Sequence, residues 1–344
     1  MLNRIGMAIG AGLASALLFV VTEKETALAL ALAYLAPLPI MIATLGWGVD
    51  VGLVALVVSI VASAVAMEPF SGSVEPFSGA LFGLTVALPA WGLSTFASLR
   101  GPPRNLDAFR RPPPATPQVG RAAAGPGGGP SVGALVVAAA AIGIAIGAGA
   151  LVAMIVVYGG YEKGIEAVAE FLRPAIEDAI GASGLPDGVT LNDVLRLVVK
   201  FSPPAIASST TLMFAANLYV AARSAQLSQR LPRPWQDVPS SLVLPPALGA
   251  ILVVALGIWL AAPEPACQFA SVFVGGLGVA YILQGLAVLH ALSRRARGRP
   301  ALIAALYLAC LVAPKWVLPA VATIGLIESV VSLRARAASP KFGA

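Results

Sequence analysis

Apolar runs of membrane-crossing length recur along the chain, near residues 6–21, 26–46, 49–67, 78–99, 132–158, 204–222, 242–262 and 266–292. A helix needs about 20 such residues to span hydrocarbon, where every backbone N–H and C=O must find its partner inside the protein. Strands that cross membranes alternate apolar and polar residues, and these runs do not, which excludes a barrel. Composition agrees: 58% of the residues are apolar, 11% are charged and the mean hydropathy is +0.88, well outside the range of soluble domains. The sequence therefore predicts an all-α, polytopic transmembrane helical bundle.

Two shorter runs, near 301–313 and 317–334, read as a hairpin or as one helix broken at Pro314. About ten spans are expected, with eight or nine as alternatives, and charge favours ten. With a cytoplasmic start, the inside segments carry Arg4, five arginines from Arg100 to Arg121, Arg223, Arg230, Arg233, Arg294, Arg295, Arg297, Arg299, Arg334, Arg336 and Lys341. These make 16 of the 22 basic residues, the asymmetry that the positive-inside rule describes. Acidic residues fall the other way, with 12 of 16 outside. The net charge of +6 thus reports topology and attraction to anionic lipid, and no aromatic-interleaved basic patch points to nucleic acid. The expected location is the bacterial inner membrane, multi-pass, with both termini cytoplasmic. Ala14-Ser15-Ala16 lies inside the first run, out of reach of a signal peptidase, so that run is read as an uncleaved helix.

The chain divides into an N-terminal four-helix half, 1–100, a Pro/Gly-rich cytoplasmic linker, 101–130, and a C-terminal half, 131–344, carrying an outer insertion at 159–203. In the insertion, Ile165, Val168, Leu172, Ile176 and Ala179 repeat at helical spacing, and Thr190 with Asp193 forms a capping box. Two amphipathic helices joined at 185–188 are expected on the outer surface, as a lid or an interfacial pair. EPFSG occurs twice, at Glu68–Gly72 and Glu75–Gly79, a cation-binding pair of carboxylates or a lengthened turn.

No phosphate-binding loop, HExxH or nucleophile elbow is present, and one histidine cannot build a His-rich metal site. Cys267 and Cys310 are read as packing residues. No catalytic residue, metal or cofactor is expected. What remains is helix packing and polar groups within the membrane. Gly6, Gly10 and Ala14, and likewise Ala8, Gly12 and Ala16, repeat every four residues, which lets helices approach closely or dock on another subunit. Gly143 with Gly147, and Gly275, Gly278 and Gly285, form similar stripes. Pro37, Pro39 and Pro89 interrupt spans at mid-depth and free carbonyls there. Asn217, Gln284 and Glu328 share a depth, somewhat toward the cytoplasm, and Thr210 lies on the Asn217 face. A carboxylate at that depth needs partners, so the four are expected as a hydrogen-bonded clasp or as the lining of a ligand site. His290, at the cytoplasmic end of its helix, is read as interfacial.

YILQGLAVLHAL (281–292), NLYVAARSAQLSQRLPRPWQDVP (217–239) and ATIGLIESVVSLRAR (322–336) resemble the YybS-like family of bacterial membrane proteins. That family is distantly similar to the substrate-binding subunits of energy-coupling-factor transporters, which take a ligand from outside and dock on a partner through small residues of the first helix. Those subunits have six spans, and none of their ligand-contacting residues maps onto this sequence. The resemblance implies a small-molecule binding or uptake subunit, in contact with lipid and with other membrane subunits through the first helix. The rival reading is a scaffold for envelope or division machinery.

Overall fold

The computed structural model describes residues 2–24, 26–66, 74, 76–99, 129–181, 184–186, 188–231 and 235–338. Residues 101–128 of the linker, the first EPFSG copy and Glu75 of the second lie outside the described residues. Every regular element among the described residues is helical. The chain runs α1 (Leu2–Val20), α2 (Ala27–Ala33), α3 (Pro37–Trp47), α4 (Val49–Ala66), α5 (Pro76–Phe82) and α6 (Leu88–Ser98). It continues through α7 (Val132–Val157), α8 (Tyr161–Ile180), α9 (Leu191–Leu227), the single turn α10 (Val238–Ser241) and α11 (Pro246–Ala261). The last elements are α12 (Ala266–Leu292), α13 (Arg299–Val312), α14 (Pro314–Val331) and α15 (Leu333–Ala338). Among the described residues, eight helical segments are long and apolar enough to cross a membrane, while α11 and α13, with 16 and 14 residues, are apolar but shorter. The protein is therefore a multi-pass membrane protein, an all-helical bundle.

At two of the proline breaks, side chains meet backbone carbonyls that the helix leaves free. Pro37 and Pro39 divide the second span into α2 and α3, and the exposed carbonyls of the break accept from side chains. Asn217 Nδ2 donates to Tyr34 O at 2.7 Å and Ser15 Oγ to Ala36 O at 2.6 Å. Pro89, which lacks the N–H that would reach Thr85, follows a π-helical stretch at Gly83–Ala87. In α9, Pro203 frees the Val199 carbonyl, and Ser202 Oγ donates to it at 2.8 Å. Small residues fit against the same region: a methyl group at Gly147 would meet Pro203 O, and one at Gly275 would meet Pro204 O.

One core cluster joins α1, α3, α4 and α6 to α7 and α9 through Ile40, Met41, Phe82, Leu93 and Phe214. A second joins α7, α12 and the segment after α10 through Val136, Leu242, Leu244, Leu277 and Tyr281. Because α7 supplies Leu135 and Ala139 to the first and Val132, Val136 and Ala140 to the second, it knits the two halves together. Charged groups gather at opposite ends. Arg4 bonds Trp47 O and Asp50, Arg230 stacks on Trp47, and Arg294 pairs with Asp237 at one end. Lys200 pairs with Glu264 at 2.7 Å at the other.

The outer insertion forms the two expected amphipathic helices, packed on each other. Its second helix is continuous with the sixth span, giving a 37-residue α9 about 55 Å long, well beyond the roughly 30 Å of hydrocarbon. Ile165 and Ala169 of α8 bury against Leu195 and Val199 of this extension. The two apolar faces thus cover each other rather than lipid, and the Thr190–Asp193 capping box starts the helix as expected.

The two small-residue rows of α1 separate. Ala8, Gly12 and Ala16 are buried, and a methyl group at Gly12 would sit 2.6 Å from Ala55 O of α4. This row is an internal contact, the helix-packing alternative of the two uses expected for it. Gly6 and Gly10 are exposed with open space around them, and Ala14 is half-buried. Gly12→Leu should therefore lower the unfolding midpoint in detergent sharply and Gly10→Leu should leave it unchanged. Equal midpoints would contradict the α1–α4 contact.

Candidate functional site

The four polar residues that the sequence groups together fall into separate neighbourhoods. Asn217 is buried on α9 and caps the α2–α3 break, with a second bond from Nδ2 to Met213 O and no partner for Oδ1. Thr210 is buried two turns earlier on the same helix. Neither is bonded to Gln284 or Glu328 among the described residues. Shared depth did not bring them together, because depth fixes height along a helix and leaves its rotation open.

Gln284 and the α14 segment do meet. Gln284 is fully buried on α12; its Oε1 accepts from the Leu244 N–H at 2.6 Å, and its Nε2 donates to Gly325 O at 2.6 Å and Ser329 Oγ at 2.9 Å. Glycine permits this approach: a methyl group at Gly285 would run into Val321 O, and one at Gly325 into Tyr281 O. One turn along α14, Glu328, 5% exposed, accepts from Arg334 Nε at 2.8 Å and from the Arg334 N–H at 3.2 Å. The remaining guanidinium nitrogens donate to Pro239 O and Leu242 O at 2.6 and 2.7 Å. Together these bonds hold residues 238–245, a strap with little helix of its own, against α12 and α14. The strap was legible only at Pro245-Pro246, since proline at a first helical position marks a start and moves the span from 242 to α11. Arg334 had only its charge to recommend it.

The strap is one wall of a cavity of about 360 Å³ between α7, α9 and α12, roofed by Tyr307 of α13. This size lies within the range of ligand sites. Val136, Leu283 and Leu286 line its body. Leu212 and Tyr219 of α9 and Tyr307 of α13 are substantially exposed at its margin, so it opens on the flank of the bundle. Its described lining contains no Asp, Glu, Lys or Arg. Trp235 and His290 stand at the basic end, where Trp235 Nε1 is buried without a hydrogen-bond partner among the described residues. His290 Nδ1 bonds Leu286 O at 2.9 Å, and its ring meets Tyr307 edge-on at 5.8 Å. Just outside, hydrogen bonds from Ser240 and then Arg294 hold the Asp237 carboxyl below the usual carboxylate range.

Sequence reading put His290 at an interface and missed its cavity; a lone histidine one turn before an arginine pair gives no hint of what faces it. Trp235, inside LPRPWQDVP, carries no periodicity or motif that marks it as a lining residue.

The fold and site thus define a polytopic helical membrane protein with an apolar cavity at its basic end. No family model matches the chain, and neither the curated proteins nor the solved structures yield a match. The resemblance to the YybS-like family rests on its three sequence segments alone.

Proposed function

We propose that this protein is a small-molecule binding component of the bacterial inner membrane, and that its ligand is apolar and lipid-like. The carrying observation is the cavity: apolar, uncharged in its described lining, and open on the flank that lipid would cover. Uptake from outside would call for a polar site at the acidic end, whereas this one lies at the basic end, which the positive-inside rule assigns to the cytoplasm. On that orientation the ligand comes from the inner leaflet, and a reporter fused after Ala338 reads cytoplasmic. A periplasmic signal there would reverse the orientation. The absence of any catalytic signature in the sequence favours binding over catalysis. A scaffold role draws on one feature, the α8–α9 hairpin, where Phe171 is 81% exposed.

The test fills the cavity. Ala216 is exposed within the margin of the cavity on α9, so Ala216→Trp adds bulk there without entering a helix contact. Mass spectrometry of protein extracted into native lipid discs should show a retained apolar molecule in the wild type and at least about tenfold less in Ala216→Trp, a difference of about 1.4 kcal/mol in binding. The unfolding midpoint should not change. Identical copurifying molecules in both would remove the support for a binding role.

A further inference from the structure

We infer that the cavity takes an uncharged lipid bearing a hydroxyl group, with its chain along the helix axes and its hydroxyl between Trp235 and His290. The inference rests on the binding role proposed above and adds the chemical class of the ligand.

The shape of the site comes first. Leu212 and Tyr219 on α9, like Leu283 and His290 on α12, all line the cavity and are separated by two turns, about 10 Å along each axis. The cavity is thus a slot parallel to the helices, the direction in which a lipid chain lies. Its residues farthest from the basic end, Leu212 and Leu283, are aliphatic, and its polar side-chain atoms collect toward the basic end. An amphiphile fits that gradient in one orientation, with its chain inward and its head toward the interface.

The head is defined by what the protein leaves unsatisfied. Trp235 lines the cavity, and its Nε1, which can only donate, is buried with no partner among the described residues. The Leu286 carbonyl can only accept, so the proton of its bond to His290 sits on Nδ1. In the neutral ring Nε2 is then an acceptor, and it makes no hydrogen bond among the described residues. Beside the hydroxyls of Tyr219 and Tyr307, which can donate or accept, that end holds one obligate donor and one acceptor, and a hydroxyl answers both by accepting from the indole N–H and donating to the imidazole. A carboxylate or phosphate could take the indole bond but would have no cation in the described lining, and an unpaired charge in an apolar site is strongly disfavoured. Arg294, the next cation along from His290, is already engaged by Asp237. A plain hydrocarbon would leave the buried indole N–H without a partner.

The experiment uses the purified full-length protein in lipid discs with a photoactivatable long-chain alcohol as tracer, competed by hexadecanol, hexadecane and palmitic acid. Crosslinks should fall within residues 212–219 and 283–290. Hexadecanol should compete about tenfold better than either of the others, roughly 1.4 kcal/mol, the scale of one neutral buried hydrogen bond. Trp235→Phe and His290→Phe should each reduce hexadecanol to the level of hexadecane while leaving hexadecane competition unchanged. Competition by palmitic acid equal to that of hexadecanol, or a preference that survives Trp235→Phe, would overturn the assignment of the head and leave the binding role standing. Crosslinks absent from both stretches would overturn both.

Discussion

Arg334→Met should be among the most damaging single substitutions in this protein, destabilising it by about 3–5 kcal/mol. The guanidinium joins three chain segments: it answers the Glu328 carboxylate and donates to the carbonyls of Pro239 and Leu242. Methionine matches the aliphatic stem but leaves a carboxylate that is 5% exposed without its cation. The damage is the uncompensated charge rather than the lost attraction, because taking two charges out of water offsets most of what they gain from each other. Two comparisons follow. Arg295→Met, at an exposed arginine, should move the unfolding midpoint little. Arg334→Met combined with Glu328→Leu should be more stable than Arg334→Met alone. Additive losses in the double variant would mean that the two groups are not coupled.

Gln284→Leu should cost about 2–4 kcal/mol, in a way that separates structure from function. Leucine fills a similar volume but leaves the Leu244 N–H and the Gly325 carbonyl without the amide that joins them. Interhelical bonds in membranes average about 0.6 kcal/mol, yet a buried group left without a partner costs about 1–3 kcal/mol. A backbone N–H in an unwound strap cannot find a new partner by rotating. Gln284 does not line the cavity, so ligand retention below the lowered midpoint should match the wild type. Lost retention at an unchanged midpoint would move Gln284 from the clasp into the binding site.

The helical class, the membrane setting and most helix boundaries could be read from the sequence, because hydrocarbon imposes length and apolarity directly on each segment. The capping box at Thr190 and Asp193 was equally legible, since a cap is written in four adjacent residues. The pairing of α1 with α4 through Gly12 was not: two small-residue rows on one helix carry the same letters, and only the neighbouring backbone tells the buried row from the exposed one. The same gap explains Asn217, whose type and depth fitted a polar cluster on α12 and α14 and whose actual partner is the broken backbone at Tyr34. The continuity of α9 through Pro203-Pro204 was hidden for a different reason. Tandem proline ordinarily ends a helix, and here the Ser202 hydroxyl and the small residues Gly147 and Gly275 accommodate it. The cavity was the least legible feature, because its lining comes from five separated stretches and consists mostly of residues indistinguishable from lipid-facing ones.

The central claim is that a lipid-like molecule occupies the slot between α9 and α12. A cryo-electron microscopy map of the protein extracted directly into native lipid discs tests it most directly. The account predicts elongated non-protein density parallel to the helices, running from Leu212 and Leu283 to an end between Trp235 and His290. A well-ordered map in which the side chains of α9 and α12 close over an empty slot, or in which the Trp235 indole turns to bond a protein group, would contradict it.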